Sequence, residues 1–193
     1  MRKTLLLAAL AAATAVPTAA LAQARGGIVV VDTDQIMSTC TACKSATQQL
    51  QQRENTIRSR AQTLNQQLTT EGKPIQDAVN ALKGKQPDAA LTARITAFET
   101  KQRSAQQEIA NSQRQLQSTV THVQQQLGRR LVTIVEQVRA RRGAALAVSK
   151  NSTLANDPAA DVTSEVLAAL NQQLPAVSVT PLPQQSQQQP QGR

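Results

Sequence analysis

Between residues 36 and 68, small and apolar side chains recur at alternating intervals of four and three: Ile36, Cys40, Cys43, Thr47, Leu50, Glu54, Ile57, Ala61, Leu64 and Leu68. This is the spacing of a coiled-coil seam, in which two positions per heptad face a partner helix. Thr47 and Glu54 weaken it only locally. The seam runs on through Glu71, Ile75, Ala78 and Leu82, interrupted by "EGKP" at residues 71 to 74. Pro74 removes a backbone donor and crowds the preceding turn, and Gly72 adds backbone freedom, so a kink or local break is predicted near 72–74. "KGKQPD", residues 83 to 88, is the strongest turn signal in mid-chain. Beyond it a second stripe, from Leu91, Ile95 and Phe98 through Ala105, Ile109, Leu116, Val120, Val123, Leu127, Leu131 and Ile134 to Val138, ends near Arg142. Its later steps lean toward four, a stuttered rather than strict heptad.

Two helical stretches of about 50 residues on either side of one turn imply an antiparallel hairpin roughly 75 Å long at 1.5 Å per residue. Such an arm buries only a thin seam and needs support at its base. The chain ends supply it. "GGIVVVD", residues 26 to 32, reads as a buried strand, and Asp32, Thr33 and Asp34 offer caps for a helix starting near Asp34. Gly143 is a natural helix stop; "GAALAVSK" and "NSTLA" after it have strand character, and "DVTSEVLAALNQQL" reads as a capped helix with Val162, Val166, Leu167, Leu170 and Leu174 on one face. The predicted fold is mainly α with a small β body: a long antiparallel helical-hairpin, coiled-coil arm over 34–142, with its tip near 83–88, on a short-stranded sheet formed by 26–33 and 143–174. A sheet of about three short strands leaves open edges, which association of several copies would close.

Composition agrees with an elongated shape, because Phe98 is the only aromatic residue and a deep globular core is hard to build without aromatics. Residues 1–22 read as a signal peptide: Arg2 and Lys3, then "TLLLAALAAATAV", then Ala20-Leu21-Ala22, with cleavage after Ala22 favoured over Ala24. Its removal leaves 19 basic against 12 acidic residues, a net charge of about +7. That excess attracts polyanions in general, but export makes nucleic acid an unexpected physiological target. Residues 175–193 are rich in Pro and Gln and are expected to be disordered.

Groups for catalysis are scarce. His122 is the only histidine and lies beside the apolar stripe, which favours a structural or surface role. No phosphate loop or nucleophile elbow is present, and two cysteines with one distant histidine are too few ligands for zinc. No enzyme activity, cofactor or metal is expected. The Cys40-x-x-Cys43 spacing lacks the βαβ context of a thiol oxidoreductase and falls on the seam. An exported compartment permits disulfides. On a regular helix, however, residues i and i+3 hold their Cβ atoms about 5–6 Å apart, against the roughly 3.8 Å a bridge needs, so a Cys40–Cys43 disulfide is not favoured.

The signal peptide, "IVVVDTDQIM" as strand then helix, the hairpin, "AALAVSKNSTLA" returning to the base and the closing "DVTSEVLAALN" together resemble the Skp (OmpH) family of periplasmic chaperones. The resemblance implies a homotrimer of jellyfish shape, whose three arms enclose a cavity that holds unfolded outer-membrane proteins without ATP. The chain departs from that pattern in its Gln-rich arms, Pro74 and Gln-rich tail. Such a client exposes alternating apolar side chains and unpaired backbone, and arms offering scattered Leu, Ile and Val beside cations can hold it by many weak contacts. Arg94, Lys101, Arg103 and Arg114, with Lys73, Lys83 and Lys85 near the tip, are the candidate client-binding residues. Anionic lipid or lipopolysaccharide is a further candidate contact. The alternative is a coiled-coil envelope scaffold or polyanion binder without chaperone activity.

Overall fold

A computed structural model describes residues 26–180; the signal peptide expected at 1–22 and the tail beyond residue 180 lie outside the described residues. Strand β1 (Ile28–Val31) runs into a short helix α1 (Thr33–Thr39), capped by Asp32, whose Oδ1 accepts from the Gln35 N–H at 2.8 Å. Helix α2 (Thr41–Ala81) and helix α3 (Ala89–Arg141) form the arm, about 60 and 80 Å long at 1.5 Å per residue. Strand β2 (Leu146–Ser149) and helix α4 (Thr163–Gln173) return to the base. The tip falls where the turn signal placed it. Lys83 and Gly84 take positive φ values of 47° and 87°, and Asp88 caps α3 by accepting from the Leu91 N–H at 2.7 Å. Gly143, at φ 66°, ends α3, and the Ala144 N–H closes back onto the Arg139 carbonyl at 3.1 Å.

β1 and β2 pair in parallel, with Ile28 opposite Leu146 and Val31 opposite Ser149. Parallel neighbours need a long crossover, and here the crossover is the whole arm. The third strand expected from "NSTLA" does not form. Lys150–Ser152 closes a 3-10 turn instead, with Thr153 bonding back to the Lys150 carbonyl through its N–H at 3.0 Å and its hydroxyl at 2.8 Å. Short polar side chains offer the backbone such local partners, which compete with a ladder. Among the described residues the far edge of β1 receives a single bridge, Val30 to Asp161.

The core sits at the base, where Val29, Val31, Ile36, Cys40, Val123, Leu127, Ile134, Val138, Val166 and Leu170 form one buried cluster. Farther out, Leu64, Leu91 and Ala105 are the buried apolar residues, and the other apolar seam residues, including Leu50, Ile57, Ala61 and Leu68, are half-buried. The two weak seam positions are exposed: Ala46 is buried in place of Thr47, and Glu54 turns outward to pair with Arg58 at 2.8 Å.

Two further expectations are corrected. Of the kink or break expected near 72–74, the break does not occur: α2 continues through Pro74. A proline inside a helix costs about 3 kcal/mol, and the packing opposite it opposes that cost. A Cβ at Gly72 would stand 2.8 Å from the Cζ of Phe98, so the single aromatic ring lies directly on the one residue small enough to admit it. Residues 175–180 are not loose either: Val177 and Val179 pack against the base cluster.

Candidate functional site

The polar residues of "DVTSEVLAALN" brace the arm root. Asp161 Oδ1 accepts from the Thr163 N–H at 2.9 Å, and its Oδ2 lies 3.2 Å from Lys150 Nζ, which also approaches Asp32 at 3.8 Å. The Thr163 hydroxyl and N–H, then Lys150, hold the Asp161 carboxyl below its ordinary range. Buried Thr163 accepts the Asp32 N–H at 2.8 Å, tying α4 to the end of β1. Glu165 receives Arg141 and Arg142, each at 2.9 Å, and these bonds lower its pKa as well. Asn171 Oδ1 accepts the Thr41 N–H at 2.8 Å, at the first residue of α2.

That last bond marks a break that the heptad spacing conceals. At Cys40 the backbone is extended (φ −62°, ψ 145°), so α1 and α2 are separate helices and Cys40 is the N-cap of the second. Its sulfur accepts the Cys43 N–H at 3.0 Å. Cys40 and Cys43 form a disulfide with Cα atoms 5.1 Å apart, the bridge that regular-helix spacing disfavoured. A regular helix through both residues would hold their Cβ atoms too far apart for a bridge. The break removes that constraint, while both side chains stay buried as the seam required. Among the described residues no cluster of three or more His, Cys, Asp or Glu is placed to hold a metal ion.

Along the arm the cations named from the sequence are strung out rather than gathered. Lys73 pairs with Asp77 at 3.3 Å on its own helix, and Lys101 crosses to Glu71. Arg103 bonds the Glu99 carbonyl and the Thr100 hydroxyl, both at 3.4 Å, Arg114 bonds Asn111, and Lys83 and Lys85 stand at the tip. The structure brings together only Arg94 and Lys101, which flank a groove of about 370 Å³ between the helices, lined also by Glu71, Pro74, Ile75, Ala97 and Phe98. The strongest bridge across the arm is one the sequence did not single out. Arg60 grips Glu108 with two bonds, at 2.6 and 3.1 Å, and holds that carboxyl below its usual range.

Sequence reasoning also missed a second cavity, of about 440 Å³, where α3 meets the end of α4. His122, Gln125, Gln126, Arg129, Arg130, Thr133, Gln173 and Leu174 line it. The alternation of Val177 and Val179 in "PAVSVT" was the available signal for chain packed beside it.

The model of a family of outer membrane proteins, OmpH-like, matches residues 27–170. The chain belongs to the OmpH-like family. A solved structure from Caulobacter crescentus CB15, described as an OmpH-like outer membrane chaperone, has a TM-score of 0.70 at 17% identity, over 84% of this chain and 94% of that one. No curated protein matches the chain. The OmpH-like match includes β1, both arm helices, β2 and α4 as far as Leu170, so the bracing residues Asp161, Thr163 and Glu165 lie within it. Residues 175–180 lie past its end.

Proposed function

We propose that this OmpH-like chain is a periplasmic, ATP-independent holdase that binds unfolded outer-membrane proteins between the arms of a homotrimer and keeps them from aggregating. The observation that carries the reading is the make-up of the arm. Its seam is thin, and most of its apolar side chains beyond the base are half-buried. Among the described residues Lys83, Lys85, Arg94, Arg103 and Arg114 have no ion-pair partner. The pairs of Lys73 and Lys101 are solvent-exposed, where an ion pair is worth about 0–1 kcal/mol, so they exchange readily for a client carboxylate. Such a surface offers many weak contacts to many sequences. The same cations would meet anionic lipid or lipopolysaccharide.

Self-association has its own support at the base. Ile28 and Leu146, opposite each other in the β1–β2 register, are 53% and 52% exposed, and Leu154 on the following loop is wholly exposed. Burial against further copies would cover them at roughly 25 cal/mol per Å².

The test is solution mass by light scattering together with suppression of aggregation of an unfolded outer-membrane barrel. A trimer that holds the barrel at near-stoichiometric ratio is expected. A stable monomer without holding activity overturns the proposal, and a trimer that binds polyanions but holds no barrel leaves the scaffold reading in its place.

A further inference from the structure

Past α4 the chain does not leave the base. Residues 175–180 lie along α3 with the exposure pattern of a strand: Val177 and Val179 half-buried, Ser178 and Thr180 exposed. The two valines, with Leu174, pack against the base cluster. Between them one side chain grips the backbone. The Gln126 Nε2 donates to the Ser178 carbonyl at 2.9 Å, and its Oε1 accepts the Ser178 N–H at 3.0 Å. Gln126 itself sits one turn beyond His122, whose carbonyl its amide also meets at 3.4 Å.

A carboxamide presents a donor and an acceptor side by side, as a neighbouring strand does. Clamping one residue through both its N–H and its C=O reads the main chain and ignores the side chain at that position, which here points to solvent. Specificity is left to two apolar positions, two residues apart, that a strand turns to one face. The cavity bearing Arg129 and Arg130 opens beside the clamp.

We propose that this groove on α3 is a binding site for an extended peptide segment with apolar side chains at alternate positions, and that residues 175–180 occupy it as an internal strap which such a segment displaces. That the segment belongs to an unfolded barrel strand rests on the holdase reading; the groove and its strap do not. A strand destined for a membrane barrel alternates in this way, with an unpaired backbone. The strap, tethered by Leu174, competes at high effective concentration, so the open groove is a minor state and apparent affinity falls in proportion.

The probe is a labelled copy of Leu174–Thr180, binding to three full-length proteins: the unaltered chain, Val177→Asn with Val179→Asn, and those two changes with Gln126→Ala. Releasing the strap is expected to tighten peptide binding by about tenfold or more, in line with removing a tethered competitor. Removing the clamp from the strap-free chain is expected to weaken it by about thirtyfold, two hydrogen bonds being worth roughly 1 kcal/mol each. A peptide with Pro at the Ser178 position, which lacks the clamped N–H, should bind correspondingly worse. Hydrogen exchange at the Ser178 amide, slowed in the unaltered chain and fast in Gln126→Ala, checks the clamp without relying on the strap variants. Equal peptide affinity in all three proteins, or an unprotected Ser178 amide, overturns the proposal. Barrel aggregation run on the same proteins separates the two readings: binding that follows the strap with no barrel held removes the holdase and keeps the groove, whereas barrels held with no peptide difference keeps the holdase and removes the groove.

Discussion

The base and the arm are built from similar residues and come out unlike. At the base, Ile36, Cys40, Ile134, Val138, Val166 and Leu170 are fully or almost fully buried, and buried Thr163 has its partner. Along the arm beyond Ala46 and Val123, Leu64, Leu91, Ala105 and Thr119 are buried among half-buried Leu, Ile and Ala, and Arg60–Glu108 and Lys101–Glu71 bridge the helices in solvent. Helical stability comes mostly from packing, so the base holds the fold and the arm holds its shape only loosely. A surface that adapts to many clients is best placed on the second kind of structure.

The widest separation of the two regions is expected from large-to-small changes. Leu170→Ala should cost about 2–5 kcal/mol in denaturant unfolding, because a fully buried side chain leaves a cavity. Leu64→Ala, buried itself but flanked along the seam by half-buried Ala61 and Leu68, should cost less than half as much. Equal costs would mean that the arm is packed as firmly as the base.

Next is the disulfide. Closing so short a loop is worth on the order of 1–2 kcal/mol, so Cys40→Ala with Cys43→Ala should lower stability by about that amount. Self-association and holding should persist, because the N-terminus of α2 keeps its bond to Asn171. Loss of holding on reduction alone would show that the bridge sets the arm and does not merely staple it.

Acid should loosen the base through Asp161 and Glu165. Both carboxyls titrate lower in the folded chain than when unfolded, so the unfolded chain takes up protons first. Their contribution is complete above the ordinary carboxylate pKa, near 4. It is lost as pH falls from there through the lowered folded values. Glu165→Gln should flatten the decline of melting temperature below about pH 4.5; an unchanged slope would place the acid sensitivity elsewhere. Glu108 is shifted in the same direction but sits in solvent, so Glu108→Gln should alter the slope less.

The smallest effect lies at Gly72. Alanine there gains up to about 1 kcal/mol of helix propensity but pushes on the Phe98 ring. Gly72→Ala should therefore be close to neutral alone and stabilise by about 1 kcal/mol in a Phe98→Leu background. Additive effects in that cycle would mean that ring and glycine do not meet.

Most of the fold was legible because its signals are local: the heptad spacing, the Gly84–Pro87 turn, the Gly143 stop and the periodicity of α4. What the sequence hid depends on partners far along the chain. The helix break at Cys40 is invisible in the four-three spacing, because Asn171 caps the Thr41 N–H from 130 residues away. Phe98 meets Gly72 from across the hairpin, two residues before Pro74, and the backbone at Ser178 is held by Gln126, 52 residues back. "NSTLA" differs for a local reason, since turn bonds between Lys150 and Thr153 take the place of a strand ladder. Of the proposed client-binding cations, only Arg94 and Lys101 meet at one groove, and charge patterning could not show which helix faces which.

The most direct measurement is native-state hydrogen exchange on the full chain, with and without a bound unfolded outer-membrane barrel. The account predicts slow exchange in β1, α4 and the root of α3, fast exchange over the outer arm, and client-induced protection in the arm with β1 and α4 unchanged. Uniform protection of arm and base in the free protein, or no added protection in the arm when client is present, would contradict it.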